Sequence, residues 1–324
     1  MNTDCTVGII MPAYNCASYI AHALESLEKQ SVWPDMVVIV DDGSTDDTAA
    51  EISRFQASSD LPIKYVRQTN QGIASARNNG VEVCNTAYIA FLDSDDAFYP
   101  SFIEKARDAL IANPALVLCF SNRHIVDENL HVMRETLDQP KFVPLGSRPL
   151  GNGVHTFVKN PFTTLLPGNI VPIGNLMLKR STFEQVGGFD RELRVVEDRP
   201  FFLTMAKTGP FGFLTEPLGI WRAHESNTCG AGNALKIEWY ANLGLKKIMA
   251  QAESLGLSDD EIQSLQQTRD AIPARMLYIA AHTVDRTYLG LAIGLLIRRR
   301  IGLKVLFRNT TRYVWRLLWR QEPA

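Results

Sequence analysis

Apolar runs short enough to be strands alternate with stretches whose apolar residues fall at helical spacing, and this alternation constrains the fold more than any other feature of the chain. Val7 to Met11 is the first run, after which Tyr19, Ile20, Ala23, Leu24 and Leu27 mark one face of a helix that Trp33-Pro34 ends. Val37 to Val40 reads as a second buried strand, and Asp41-Asp42-Gly43-Ser44 as a turn opening a helix near Asp46. Ile63 to Val66, a helix from about Gly72 to Val83 and a strand from Ala87 to Leu92 continue the pattern. Strands that are apolar throughout, separated by helices, predict a parallel sheet covered on both faces.

In such a sheet, ligands sit beyond the carboxyl ends of the strands. The polar clusters of this chain fall there: Pro12-Ala13-Tyr14-Asn15 after the first strand, Asp41-Asp42-Gly43-Ser44 after the second and Asp93-Ser94-Asp95-Asp96 after the fourth. A helix carrying Phe102, Ile103, Ala106 and Leu110 then leads to a strand over Leu116 to Phe120. Residues 135 to 173, rich in Pro and Gly with weak periodicity, read as a long loop on the acceptor side of a site. Further on come a strand from Asn175 to Lys179, a short helix capped by Ser181, a helix from Arg199 to Lys207, and two strands, Phe211 to Leu214 and Gly219 to Arg222. Beyond Thr228 the pattern is helical. The expected organisation is a main domain over 1–230, with an internal division near 120, and a helical extension over 231–324.

Composition narrows the partners. The chain of 324 residues is 46% hydrophobic and carries a formal charge of −2, which supports a large core and argues against nucleic acid as a partner. Five scattered cysteines without a C-x-x-C pair favour a reducing compartment over a disulfide framework. Neither a signal-peptide pattern nor the ~18-residue apolar run of a membrane span is evident, so a cytoplasmic protein is expected.

The acidic clusters each admit two readings. Asp93 and Asp95 flank one residue after a strand, so they can converge on a divalent cation; equally, Asp95 or Asp96 can cap a following helix, or the cluster can be a solvated turn. Asp42 can satisfy helix amides or accept the N3–H of a uracil or thymine ring. Arg77 is either a diphosphate or ribose contact or an ion-pair partner of these acids. Glu197-Asp198 at a helix start is capping by default, and becomes catalytic if one carboxylate reaches an acceptor hydroxyl. A lone His224 is ordinarily structural.

Taken in order, P-A-Y-N at 12–15, V-D-D-G-S-T-D-D-T at 40–48, N-Q-G-I-A-S-A-R-N-N-G at 70–80, F-L-D-S-D-D at 91–96, G-G-F-D at 187–190, E-D at 197–198 and W-R-A-H-E-S-N-T at 221–228 resemble the family 2 glycosyltransferases of the GT-A fold. The resemblance implies a Rossmann-like, mostly parallel sheet flanked by helices and an inverting transfer of sugar from a nucleotide diphosphate, UDP- or dTDP-linked, to an acceptor hydroxyl in cell-surface polysaccharide or glycolipid synthesis. It places Asp42 on the base, with Pro12 and Tyr14 lining its pocket, and Asn15, Asp41 and Ser94 on the same nucleotide side. Arg77 would lie near ribose and diphosphate, with Asp93 supporting the nucleotide. Asp95 would be the principal ligand of Mg2+ or Mn2+, His224 would approach the metal or diphosphate, and Asp198 would be the general base. W-R-A-H stands where Y-R-x-H is commoner, and the absent Q-x-x-R-W argues against a processive synthase. A nucleotidyltransferase would need a Gly-rich basic loop after the first strand, which Pro12-Ala13-Tyr14-Asn15 does not offer, and an inactive binding module need not keep Asp95, Asp198 and His224 together.

Over residues 286–320 the chain has nine basic residues (Arg286, Arg298, Arg299, Arg300, Lys304, Arg308, Arg312, Arg316 and Arg320) and no acidic one, interleaved with Leu, Ile, Phe, Tyr and Trp. Such a mixture suits helices lying in an anionic membrane interface, with a lipid-linked or saccharide acceptor, or a basic hairpin packed on the catalytic domain or a second subunit.

Overall fold

The computed structural model describes residues 5–138, 146–225, 227–228 and 230–283. The chain divides into two compact units, Met1–Glu225 and Ser226–Ala324. In the first, β1 (Val7–Ala13), α1 (Ile20–Glu28), β2 (Met36–Asp41), α2 (Thr48–Gln56), β3 (Ile63–Arg67), α3 (Ile73–Val83) and β4 (Tyr88–Phe91) realise the expected alternation. β1 is buried along its whole length and pairs in parallel with β2 and β4, and β3 lies beyond β2 in the same sense. One face of this sheet is covered by Ile20, Leu24 and Leu27 of α1. On the other, α3 approaches β1 so closely that a Cβ on Gly80 would lie 2.5 Å from Ile10 Cγ2, which explains a glycine inside a helix.

After β4 the topology changes. The acidic loop leads into a two-residue strand, β5 (Ala97–Phe98), then α4 (Phe102–Ala112) and β6 (Leu118–Val126). No helix follows Asp95 and Asp96, so the capping alternative for them fails, and Asp96 instead accepts the Arg222 amide. β7 (Val132–Glu135) pairs with β6; β8 (Ser147–Gly151) and β9 (Val154–Phe157) form a hairpin, followed by α5 (Pro161–Leu165). The expected long loop over 135–173 is therefore wrong for much of its length. Its hairpin turns through Gly151, Asn152 and Gly153, all at positive φ, and α5 starts with Asn160 capping the Phe162 amide and Pro161 in the first turn.

β10 (Leu176–Lys179) enters antiparallel between β4 and β6, and α6 (Arg180–Val186) follows it directly. Lys179 rather than Ser181 occupies the cap position of α6, which ends on left-handed Gly187. After α7 (Asp198–Met205), β11 (Phe211–Arg222) is one strand where two were expected: it runs parallel to β6 with register shifts on either side of Pro217, which mimic a break in the sequence. The sheet order is β3-β2-β1-β4-β10-β6-β11-β9-β8, with β5 on β11 and β7 on β6. Behind β4, Phe91, Phe183, Phe189 and Phe201 form an aromatic cluster that seats α6 and α7.

The second unit holds α8 (Ala234–Ala250) and α9 (Asp259–Thr283), packed on each other and joined by a bidentate pair in which Arg275 donates to Glu238 at 2.7 and 2.9 Å. Among the described residues no helix is long and apolar enough to cross a membrane. The basic tail expected to meet an anionic surface, from about 284 onward, lies outside the described residues.

Candidate active site

The strand-end loops of β1 and β2 are laced together. The Asn15 amide donates to Ser44 Oγ at 3.0 Å, and Asn15 Oδ1 accepts the Thr45 amide at 2.8 Å, with Asn15 itself left-handed at φ 49°. Pro12 is buried inside β1 opposite Val40, while Tyr14 is exposed at the rim. Asp41 is wholly buried: its carboxylate accepts the Ser44 amide and the Tyr65 hydroxyl, each at 2.7 Å, with Arg67 at 3.7 Å. Burial opposes the Asp41 charge, yet these donors outweigh it and hold the carboxyl below its usual range. Asp41 thus builds the turn. Asp42 accepts Gln68 Nε2 and the Gln71 and Gly72 amides at 2.7 to 2.8 Å, so it fixes the approach to α3 and keeps little capacity for a further donor.

Arg77 makes the ion pairs that were one of its two readings. Its guanidinium is 1% exposed and lies between Asp93 Oδ1 at 2.6 Å and Glu197 Oε1 at 2.5 Å, over the Phe189 ring. It is the ion-pair partner, joining the loop after β4 to the start of α7. Burial disfavours the Arg77 charge, but Asp93 and Glu197 prevail and raise its pKa. For Glu197 and Asp198, burial is the larger influence and pushes both carboxyls up against the pull of Arg77. Val196, just before them, sits at φ 60°, a left-handed conformation that costs a β-branched residue of order 1–3 kcal/mol and occurs where a site imposes it.

The Asp93–Asp96 loop crowds negative charge. Burial, then the Asp93 charge, raises the Asp95 carboxyl, and burial with Asp95 pushes Asp96 well above its usual value, with Arg123 at 3.6 Å opposing. Gly174 lets the backbone come near: a Cβ there would lie 3.0 Å from Asp96 Oδ2 and 3.3 Å from Asp93 Oδ2. Asp95 Oδ2 is 3.0 Å from His224 Nε2, and the imidazole stacks on Tyr19 at 4.8 Å between centroids. Ser94 is buried beside the Cys16 thiol. Among the described residues no three His, Cys, Asp or Glu side chains form a metal cage. Asp95 and His224 are instead a pair of suitable donors beside mutually repelling acids, and such a pair fits a divalent cation whose remaining positions are filled by a ligand's oxygens.

The structure therefore brings together two groups of the expected residues: Arg77, Asp93 and Asp198 through Glu197, and Asp95 with His224. Asn169 was not foreseen; it donates to Asp198 Oδ2 at 2.5 Å from the stretch taken for a loop. Tyr19, Arg123 and Arg222 were also missed, the last lying over the Tyr19 ring and touching His22.

Parallel strands with acidic loops at their carboxyl ends, extended by a mixed sheet, define the class: a mixed α/β protein of GT-A type. The chain belongs to glycosyl transferase family 2, whose family model matches residues 8–186. It is 34% identical to the chondroitin synthase of Escherichia coli over 134 residues, 41% of this chain and 19% of that protein, so the match spans about a fifth of the synthase. The fold resembles S. aureus TarS 1-349 solved with UDP-GlcNAc, at TM-score 0.55 and 18% identity over 91% of this chain and 92% of that one. It also resembles the mannosyltransferase PcManGT of Pyrobaculum calidifontis, solved with GDP-Man and Mn2+, at TM-score 0.54 and 20% identity over 98% and 88%.

Proposed function

We propose that this chain is an inverting glycosyltransferase that moves a sugar from a nucleotide diphosphate, UDP- or dTDP-linked, to an acceptor hydroxyl. One observation carries the reading: a buried guanidinium, Arg77, holds the nucleotide-side Asp93 and the base-side Glu197-Asp198 in one cluster. In this reading Tyr14, Pro12 and Asn15 shape the base pocket, and Asp42 presents its remaining lone pair to the ring. Asp95 and His224 would hold Mg2+ or Mn2+, which when bound neutralises charge developing on the leaving diphosphate. Asp198, part-buried and with its carboxyl raised, takes the acceptor proton as the hydroxyl oxygen attacks the anomeric carbon. One displacement inverts that carbon.

The relatives with UDP-GlcNAc and GDP-Man in their complexes support a sugar-nucleotide donor. The acceptor is proposed to be a saccharide or lipid-linked saccharide in cell-surface polysaccharide or glycolipid synthesis, with the catalytic domain over 1–230 and the basic tail binding the cytoplasmic membrane face. The test is a panel of sugar nucleotides with Mn2+, read by released nucleoside diphosphate, alongside co-sedimentation of the full chain with anionic and neutral liposomes. Turnover of no sugar nucleotide in the panel, with or without Mn2+, would sink the enzymatic reading. Equal sedimentation with both liposomes would sink the membrane role.

A further inference from the structure

Asn169 lies between α5 and β10, half-buried next to the buried Ile170 and Val171. Its Nδ2 donates to Asp198 Oδ2 at 2.5 Å, and its Oδ1 accepts the Val171 amide at 3.0 Å. The second bond orients the first. A backbone N–H only donates, so Oδ1 must face Val171 and the NH2 must face the carboxylate. One residue along α7, the buried Arg199 donates its Nη2 to the Leu166 carbonyl, so consecutive helix residues grip the same segment. Arg77, Glu197 and Asp93 supply the charges around Asp198 and the Arg199 amide also donates to its carboxylate, while Asn169 is the side chain that bonds Oδ2.

We infer that Asn169 is a positioning residue for the Asp198 carboxylate, holding Oδ2 in place and leaving Oδ1 to take the proton from the acceptor hydroxyl. The inference rests on the reading of Asp198 as the base. In the step concerned, the acceptor O–H bond breaks and its proton passes to Asp198 Oδ1, the new bond forms from the acceptor oxygen to the anomeric carbon, and the electron pair of the old glycosidic bond leaves with the diphosphate. Because the donor bond favours the ionised carboxylate, Asn169 also keeps Asp198 competent as pH falls.

Two substitutions separate positioning from loop support. Asn169→Ala removes both bonds, whereas Asn169→Asp keeps an oxygen for the Val171 amide, loses the donor and sets a second carboxylate beside Asp198. The assay is release of nucleoside diphosphate in Mn2+ with water as acceptor, using whichever of UDP-glucose, UDP-N-acetylglucosamine, dTDP-glucose or GDP-mannose the wild-type chain turns over fastest. Both variants are expected to lose kcat by roughly 10- to 100-fold with little change in KM. In both, the acid limb of the kcat profile moves to higher pH while the thermal midpoint of Asn169→Asp stays near wild type. Wild-type kcat and an unmoved acid limb in Asn169→Asp would overturn the inference and leave Asn169 a loop support. Asp198→Asn is run alongside: if it turns over normally the base lies elsewhere, and if it is inactive while Asn169→Asp is normal, only the positioning role fails.

Discussion

The two sides of the rim hold their carboxylates by opposite means. On the β1–β2 side, Asp41 and Asp42 are satisfied largely by backbone amides, with the Tyr65 hydroxyl and the Gln68 side chain completing them, and Asp41 is kept below its usual pKa. On the far side, Glu197 and Asp198 answer to Arg77 and Asn169, 120 and 29 residues away, and burial pushes both upward. An acid whose amide and hydroxyl donors outweigh burial, as at Asp41, is scaffold. In the proposed reaction the proton goes to an acid that burial raises and side chains hold.

The sharpest way to break this contrast is Asp198→Asn, expected to lower turnover by ~10²- to 10⁴-fold with sugar-nucleotide binding intact. Calorimetric titration beside a turnover assay checks it, and near-normal turnover would remove the chemical half of the contrast. Next, Arg77→Met strands Asp93 and Glu197 without their partner and should cost about 3–5 kcal/mol in urea unfolding, with part recovered on adding Glu197→Gln. A loss below 1 kcal/mol would mean that the two sides do not depend on this guanidinium.

Asp95→Ala should weaken Mn2+-dependent binding of UDP by at least the roughly tenfold that loss of an outer-shell partner costs, leaving metal-free binding alone. Unchanged Mn2+ dependence would place the cation elsewhere. The last effect is one of stability alone: Tyr65→Phe deprives Asp41 of its hydroxyl donor and should cost about 1.5–3 kcal/mol at neutral pH. Asp41 has a depressed pKa in the folded protein, so this contribution is present above the ordinary carboxylate range and fades as pH falls through the depressed value. The variant and wild type should therefore converge in acid unfolding, and a deficit independent of pH would contradict the scaffold assignment.

The parallel half was legible because β1, β2 and β4 are almost wholly apolar and each rim cluster follows one of them directly. Beyond β4 the fold relies on antiparallel and bulged pairing, which leaves weaker marks. Pro217 made one strand look like two, and the Gly151-Asn152-Gly153 turn, a legible hairpin signal, was outweighed by the Pro and Gly content around it. The site followed the same divide. Asp93, Asp95, Asp198 and His224 stand in short motifs, whereas the bonds Arg77–Glu197 and Asn169–Asp198 join residues far apart in the chain, which no local spacing encodes. Val196 carries no local hint of its left-handed backbone, because tertiary packing imposes it.

The Arg77–Glu197 pair also has a consequence in time. A ribosome adding ~5–20 residues per second needs roughly 6 to 24 s to travel from one partner to the other, far longer than helices take to form. Through that interval the emerging parallel layers can collapse, but the guanidinium destined for their interior has no Glu197 to meet and favours staying hydrated. Until Glu197 arrives, Arg77 has Asp93 as its partner and lacks the second carboxylate that completes the buried cluster.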